Sequence, residues 1–431
     1  MAKLRVVLFT VTSQILLLLS PTPAYAHAFG TLYTLPIPLW LYLYGAGAAL
    51  IISFLAIGFF AKESSKFSYP KINFKVNYQI ILFIKILSLG LFLLTILSGF
   101  FGSQFSSENF AVNFFWIIFL LGFTYLTAIL GNIWEIVNPW KNMVSLLEKS
   151  KPILSYPQKL GYFPALIFYF ILIWLELLSG GIGVKPFSLA QILLFYTSLT
   201  FAGSLIFGSQ VWFKYVEFFS VFFSLISKLS PFGNSDILKD QTKHFSLLLF
   251  IMFMLSSTAF DGFRSTTTWM RFYYSTLVPL ENILGDNSYQ LIQTIMLILS
   301  PLFFLTFYLI AIGLMKMLAK TKSSIKDLSL HFAYSLIPIA LAYNVAHYYT
   351  LLLTQGQIVT PLILGASFVW HSEVTVIIIG HILAVFLAHM MALKILPRKQ
   401  ALISQIPMLI LMVVFTITGL WILSQPLTVG G

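Results

Sequence analysis

The chain of 431 residues contains no cysteine. This absence excludes disulfides, thiolate metal ligands, iron–sulfur clusters and a cysteine nucleophile. Charged residues are also scarce, at 9%, whereas a soluble domain carries about 25%. Such a chain cannot cover a water-facing surface. Phosphate-binding and hydrolase motifs such as Walker A, G-x-S-x-G and H-E-x-x-H are missing as well, so the common forms of that chemistry lack their residues.

What the chain does contain is hydrophobic residues, which make up 59% of it and stand in long apolar runs. A run of about 20 apolar residues is long enough to cross a bilayer as a helix. We therefore predict an all-α, polytopic transmembrane helix bundle. Its ten predicted spans lie near residues 37–60, 78–101, 114–136, 161–179, 188–209, 244–260, 290–315, 332–355, 373–393 and 405–424.

The charges of the connecting loops predict an orientation. Nineteen of the 25 Lys and Arg residues fall in every second loop, as the positive-inside rule requires of cytoplasmic loops. We therefore expect a bacterial cytoplasmic (inner) membrane protein with both mature termini on the periplasmic or exterior side. The net charge of +12 follows from this arrangement, so the expected partner is the lipid bilayer and not a nucleic acid. A membrane protein partner or a homo-oligomer stays open.

Two segments are predicted to lie outside the spans. Residues 1–26 have the form of a cleaved signal peptide, with basic Lys3 and Arg5, a short apolar core and a small-x-small site ending at Ala26. Cleavage there makes His27 the mature N-terminus and leaves 27–431 as one helical domain. The segment 211–229 is apolar but carries charges, which favours an amphipathic helix on the inner surface.

Ionisable and polar residues at membrane depth are candidates for function because they are costly to bury. His347 and His381 lie at similar depths on consecutive predicted spans, and Asn344 lies one turn from His347. Two facing imidazoles could ligate a metal or relay a proton. The alternative is that each imidazole only bonds to a neighbour within the bundle. The remaining pair, His331 and His389, differs in depth by about two turns, which argues against haem.

A second candidate group lies at the predicted outer rim and consists of His27, His371, Asp261 and Glu176. After cleavage His27 would offer both an α-amine and an imidazole. Nitrogen and oxygen donors of this kind suit a divalent metal, copper above all. The alternative is that these are ordinary wet residues at the membrane interface.

A third group lies near the predicted inner end of span three. Asn132, Glu135 and Asn138 recur every three residues, which predicts one polar stripe on a helix. The stripe could line a transport path, or Glu135 could have a structural partner such as a lysine.

Several segments together resemble a family of bacterial multi-pass membrane proteins of poorly defined function, often labelled fenitrothion hydrolase. They include His27-Ala28-Phe29-Gly30, Asn138-Pro139-Trp140, Phe260-Asp261-Gly262-Phe263 and the block 335–357, SLIPIALAYNVAHYYTLLLTQGQ. The resemblance covers nearly the whole chain and implies phosphotriester hydrolysis at the membrane. One departure is that Met390 follows His389, where the family tends to place an acidic residue.

Three functions are therefore open. The first is the binding or passage of a small solute or metal ion through an outward-facing polar site. The second is the membrane-bound hydrolase that the resemblance implies. The third is a non-catalytic subunit or assembly factor of a membrane complex. Metal analysis would separate the first two from the third.

Overall fold

A computed structural model describes residues 35–60, 77–147, 152–232, 237–238, 240–278, 285, 287–356 and 365–425. Over these residues the chain forms helices and turns and no strand, which confirms the predicted all-α class. The signal segment and His27 lie outside the described residues. The predicted cleavage therefore stays a prediction.

Nine helices of the described chain are long and apolar enough to cross a membrane, so the protein is an integral membrane protein. They are α1 (Leu39–Phe60), α2 (Tyr78–Phe101), α3 (Phe110–Leu130), α7 (Pro186–Phe207), α10 (Phe245–Arg264), α12 (Ser288–Ala319), α13 (Ile325–Gln355), α14 (Ala366–Ile395) and α15 (Arg398–Ser424). Shorter helices between them are α4 (Trp134–Val137), α5 (Pro139–Leu147), α6 (Phe163–Leu177), α8 (Ser209–Tyr215), α9 (Phe218–Ser227) and α11 (Thr267–Phe272).

Local chemistry decides where several helices begin and end. Asn77 and Asn109 cap the starts of α2 and α3, where each side chain accepts a hydrogen bond from a backbone N–H two residues on. Gly131, at φ 94°, ends α3, because a residue with a Cβ rarely adopts that conformation. The central part of α3, Asn113–Gly122, is wound as a π-helix.

Three elements differ from the sequence predictions. The predicted span 161–179 is the helix α6, which at 15 residues is about 22 Å long and shorter than a membrane core. The predicted span 114–136 stops at Leu130. The single surface helix expected over 211–229 is the pair α8 and α9, and eight of the ten residues of α9 are buried in the protein.

Helix α10 forms the centre of the bundle. Nearly every residue from Ser246 to Gly262 is buried, and the helix packs against α6, α12, α13 and α15. By contrast, α2 buries few side chains and presents large apolar residues outward, including Leu87 and Leu94. The outward-facing helices therefore form the lipid-facing surface, and polar groups on α10 lie inside protein.

Candidate functional site

The centre of the candidate site is Asp261, which lies in the last turn of α10. The predicted span 244–260 continues one turn further, to Arg264, so both residues belong to the helix. Three residues apart, they share one face, and Arg264 Nε donates to Asp261 Oδ1 at 3.0 Å. Asp261 is only 7% exposed. An isolated carboxylate would be costly here, and the guanidinium offsets that cost.

Helix α13 brings two more donors to the other carboxylate oxygen. His347 Nε2 lies 3.0 Å from Asp261 Oδ2, and the Tyr348 hydroxyl donates to the same oxygen at 2.8 Å. An imidazole nitrogen that faces an ionised carboxylate must carry a proton. Asp261, Arg264, His347 and Tyr348 are called the Asp261 cluster below. It joins two membrane-spanning helices through one carboxylate.

Glu176, in the last turn of α6, adds a second acidic group beside this cluster. It lies close enough to Asp261 and Arg264 to interact electrostatically with both. The site therefore combines two carboxyl groups with one permanently charged cation. Charge interactions are strong where water is excluded. A proton on His347 or on Glu176, or a bound cation, would complete the charge balance.

The predicted outer metal group is divided in the structure. Asp261 and Glu176 come together, but His371 lies elsewhere. His371 is an exposed residue of α14, bonded to the Tyr42 hydroxyl at 3.1 Å and to the Ser367 carbonyl at 2.7 Å. No three His, Asp or Glu side chains in the described ranges are grouped so that they could hold a metal ion. His27 lies outside those ranges.

The imidazoles of His347 and His381 have different hydrogen-bond partners. His347 bonds to Asp261, whereas fully buried His381 donates from Nδ1 to the carbonyl of Ile377 at 2.9 Å on its own helix. His381 Nε2 is buried without a hydrogen-bond partner. Tyr343, one turn before His347, has its ring 6.4 Å from that of His381. The close approach of the two imidazoles stays a prediction.

Asn344 does not join the Asp261 cluster through its side chain. Its backbone carbonyl accepts from the Tyr125 hydroxyl at 3.3 Å. Its side-chain oxygen is buried and makes no hydrogen bond.

The predicted polar stripe on span three is wrong in its geometry. Helix α3 ends before Gly131, and α4 begins at Trp134. The three residues therefore do not share one helix. Glu135 is exposed and pairs with Lys141 at 3.2 Å, which is the lysine partner considered from the sequence. Asn138 is buried and donates to Glu217 and Ser220. Asn132 lines a polar cavity together with Glu135.

Sequence reasoning missed Arg264 and Tyr348 as members of the site. Arg264 lies beyond the end of the predicted span 244–260. Its spacing of three residues from Asp261 was the available signal, since i,i+3 pairs meet on a helix. Tyr348 follows His347 directly, and no local pattern indicates that both side chains reach one carboxylate.

A search of known proteins adds no relative to this description. No family model, no curated protein and no solved structure matches the chain. The resemblance of the sequence motifs to a known family therefore stays a proposal.

Proposed function

We propose that this protein binds and passes a small cation, or a small solute together with a proton, across the bacterial cytoplasmic membrane. The proposed site is the Asp261 cluster with Glu176. The observation that carries the proposal is the hydrogen bond between Asp261 and His347, which joins α10 to α13 at 3.0 Å. Ionisable residues that pair with one another between spanning helices are rare, and ion pathways and proton relays are among the functions that they mark.

The charges of the site favour a cation over an anion. Arg264 is the one permanent positive charge, and it is bonded to Asp261. Glu176 adds a further carboxyl group at short range. When both carboxyl groups are ionised, one added proton or one small cation restores neutrality, whereas an anion would increase the imbalance. Binding of a cation and protonation of the site are therefore expected to compete.

The predicted orientation supports access from outside. The positive-inside rule assigns the end of α10 that carries Asp261 to the periplasmic or exterior side. Only a few residues separate Asp261 from the end of its helix. We therefore propose that the site is loaded from the outer surface.

The described residues do not fit a resident copper ion. Asp261 already accepts three hydrogen bonds, and His371 lies with Tyr42 and Ser367. Phosphotriester hydrolysis usually needs a metal-bound hydroxide held by several histidines and carboxylates, and the described part of the chain groups no such set. The proposal therefore concerns passage and not hydrolysis.

The test is a flux measurement on purified protein in lipid vesicles. Vesicles that contain a pH-sensitive dye or, separately, a cation-sensitive dye are given a potassium gradient and valinomycin, and proton or cation entry is followed. Asp261→Asn and His347→Gln should reduce the protein-dependent flux to the level of empty vesicles. Both substitutions keep the size of the side chain and remove its titration.

The matched control is Asp327→Asn. Asp327 is an exposed carboxylate bonded to Ser324, far from the cluster in sequence, and its replacement should leave the flux unchanged. Each variant must first elute as a monodisperse species from the sizing column. Equal flux in wild type, Asp261→Asn and empty vesicles, with protons and with small cations, would refute the proposed function.

A further inference from the structure

A second candidate site lies at the opposite, lysine-rich end of the chain's spans, and its first part is an apolar cavity of about 210 Å³. This cavity, called the aromatic groove, lies between α2, α3 and the segment that follows Gly131. Its walls are almost entirely apolar side chains. They include Leu87, Phe92, Phe115, Phe119, Trp134 and Trp140.

The second part is a polar cavity of about 760 Å³, called the lysine cavity. Three of its lining residues are Lys141, Lys214 and Lys228, against one lining carboxylate, Glu135. Hydroxyl and amide groups complete the wall, among them Ser220. Lys141 is paired with Glu135 and Lys228 with Asp240, while Lys214 lies over the ring of Tyr215. Three lysines against these two carboxylates leave the cavity with a net positive charge, which favours an anionic ligand.

Trp134 is a wall residue of both cavities, so the two lie next to each other. Trp134 is 3% exposed, and its indole N–H is buried without a hydrogen-bond partner. An unpaired buried donor is unfavourable because it has lost its hydrogen bonds to water. A ligand oxygen beside the indole would supply the missing acceptor. An apolar part and an anionic part of one ligand would thus lie on either side of the indole.

The helix beside the groove has an uncommon geometry. Phe115 and Phe119 belong to the π-helical stretch Asn113–Gly122 of α3. π-helical turns are rare and occur frequently at functional sites. Here the stretch supplies the aromatic rings of Phe115 and Phe119 to the groove wall.

We propose that the aromatic groove and the lysine cavity together bind one anionic phospholipid. Its phosphate headgroup would lie among Lys141, Lys214 and Lys228, and part of an acyl chain would lie in the groove. The predicted cytoplasmic side of the membrane is the side where anionic headgroups attract basic residues. This site shares no residue with the Asp261 cluster, so its test is independent of the proposed function.

The experiment compares retention of two lipids on the intact protein. Detergent-purified protein is titrated with phosphatidylglycerol and, separately, with zwitterionic phosphatidylcholine of the same acyl chains, and bound lipid is counted by native mass spectrometry. Phosphatidylglycerol should bind more tightly. Lys214→Gln should weaken it roughly fivefold, and Lys141→Gln with Lys214→Gln should weaken it further. Phosphatidylcholine binding should change little.

Two further variants keep the test decisive. Leu87→Trp, at the lipid-facing edge of the groove, should reduce retention of both lipids because it narrows the groove. Lys322→Gln removes the same charge from an exposed residue that does not line the cavity and should have no effect. Equal affinity for the two lipids, or an equal loss in Lys322→Gln, would overturn the proposal. Full displacement of phosphatidylglycerol by inorganic phosphate, without any effect of Leu87→Trp, would do so too.

Discussion

Two ion pairs of this protein each join a carboxylate to a basic side chain, but their surroundings differ. Asp261 pairs with Arg264 at 3.0 Å, and their side chains are 10% and 19% exposed. Glu135 pairs with Lys141 at 3.2 Å, and their side chains are 64% and 40% exposed. The buried carboxylate accepts two more hydrogen bonds from another helix. The exposed carboxylate has water on most of its surface.

The difference shows how a charged side chain is stabilised with and without water around it. Water solvates Glu135, so an exposed pair of this kind contributes only about 0–1 kcal/mol. Asp261 is almost shielded from water, so the protein must supply the hydrogen-bond donors that water would otherwise supply. The Asp261 carboxylate therefore depends on the hydrogen bonds from its neighbours. The loss of one of these neighbours leaves a buried charge without compensation.

The largest effect is expected from Arg264→Gln. Removal of one partner from a buried ion pair costs about 3–5 kcal/mol, since the other charge remains buried. The double variant Asp261→Asn with Arg264→Gln should lose less than Arg264→Gln alone, because the Asp261 carboxylate that would otherwise lose its partner is removed as well. Unfolding by a denaturing detergent, followed by circular dichroism, measures both. A larger loss in the double variant would contradict this account of the cluster.

An intermediate effect is expected from Glu217, a fully buried carboxyl group whose side-chain partners within the described residues are neutral hydrogen-bond donors. It begins α9 and accepts hydrogen bonds from Tyr196, Phe219, Ser220 and Asn138. Burial raises the pKa of the Glu217 carboxyl above its ordinary value of 4.5, although these hydrogen bonds oppose the rise. The folded protein therefore keeps this proton to a higher pH than the unfolded chain does.

The sign of the pH dependence follows from that difference. The folded state binds more protons than the unfolded state above pH 4.5, so stability falls as pH rises through the raised pKa. Each unit of pKa difference corresponds to about 1.4 kcal/mol. Glu217→Gln should flatten this part of the stability curve. The slope against pH is the quantity to compare, because the amide also changes the hydrogen bonds. A slope equal to that of the wild type would contradict the assignment.

The sequence was sufficient for the spanning helices and insufficient for their contacts. The predicted span 78–101 is the helix Tyr78–Phe101, and 37–60 differs by two residues from Leu39–Phe60. Long apolar runs determine such helices because a backbone in lipid must satisfy its own hydrogen bonds. The prediction was less accurate for α6. Its apolar run predicts a span over 161–179, but the helix has 15 residues, which are too few to cross a membrane core.

Two pairs of polar residues show why the ends of helices were harder to predict. The predicted span 244–260 stops before Asp261 and Arg264, yet both lie inside the helix, where they form a hydrogen bond with each other. The spacing of Glu135 and Asn138 predicts that they continue the polar face of span three. The helix ends before them, however, at Gly131 with its φ of 94°. The contact of Asp261 with His347 joins residues 86 positions apart. Periodicity within one helix cannot predict such a contact.

The smallest effect is expected from Glu135→Gln, at the exposed member of the comparison. The substitution removes the ion pair with Lys141 and keeps the length of the side chain. Because both groups are largely solvated, the loss of stability should be no more than about 1 kcal/mol, and added salt should reduce it further. The same detergent unfolding assay at low and high salt provides the measurement. A loss as large as that of Arg264→Gln would mean that Glu135 is not solvated, and the contrast between the two pairs would then have to be abandoned.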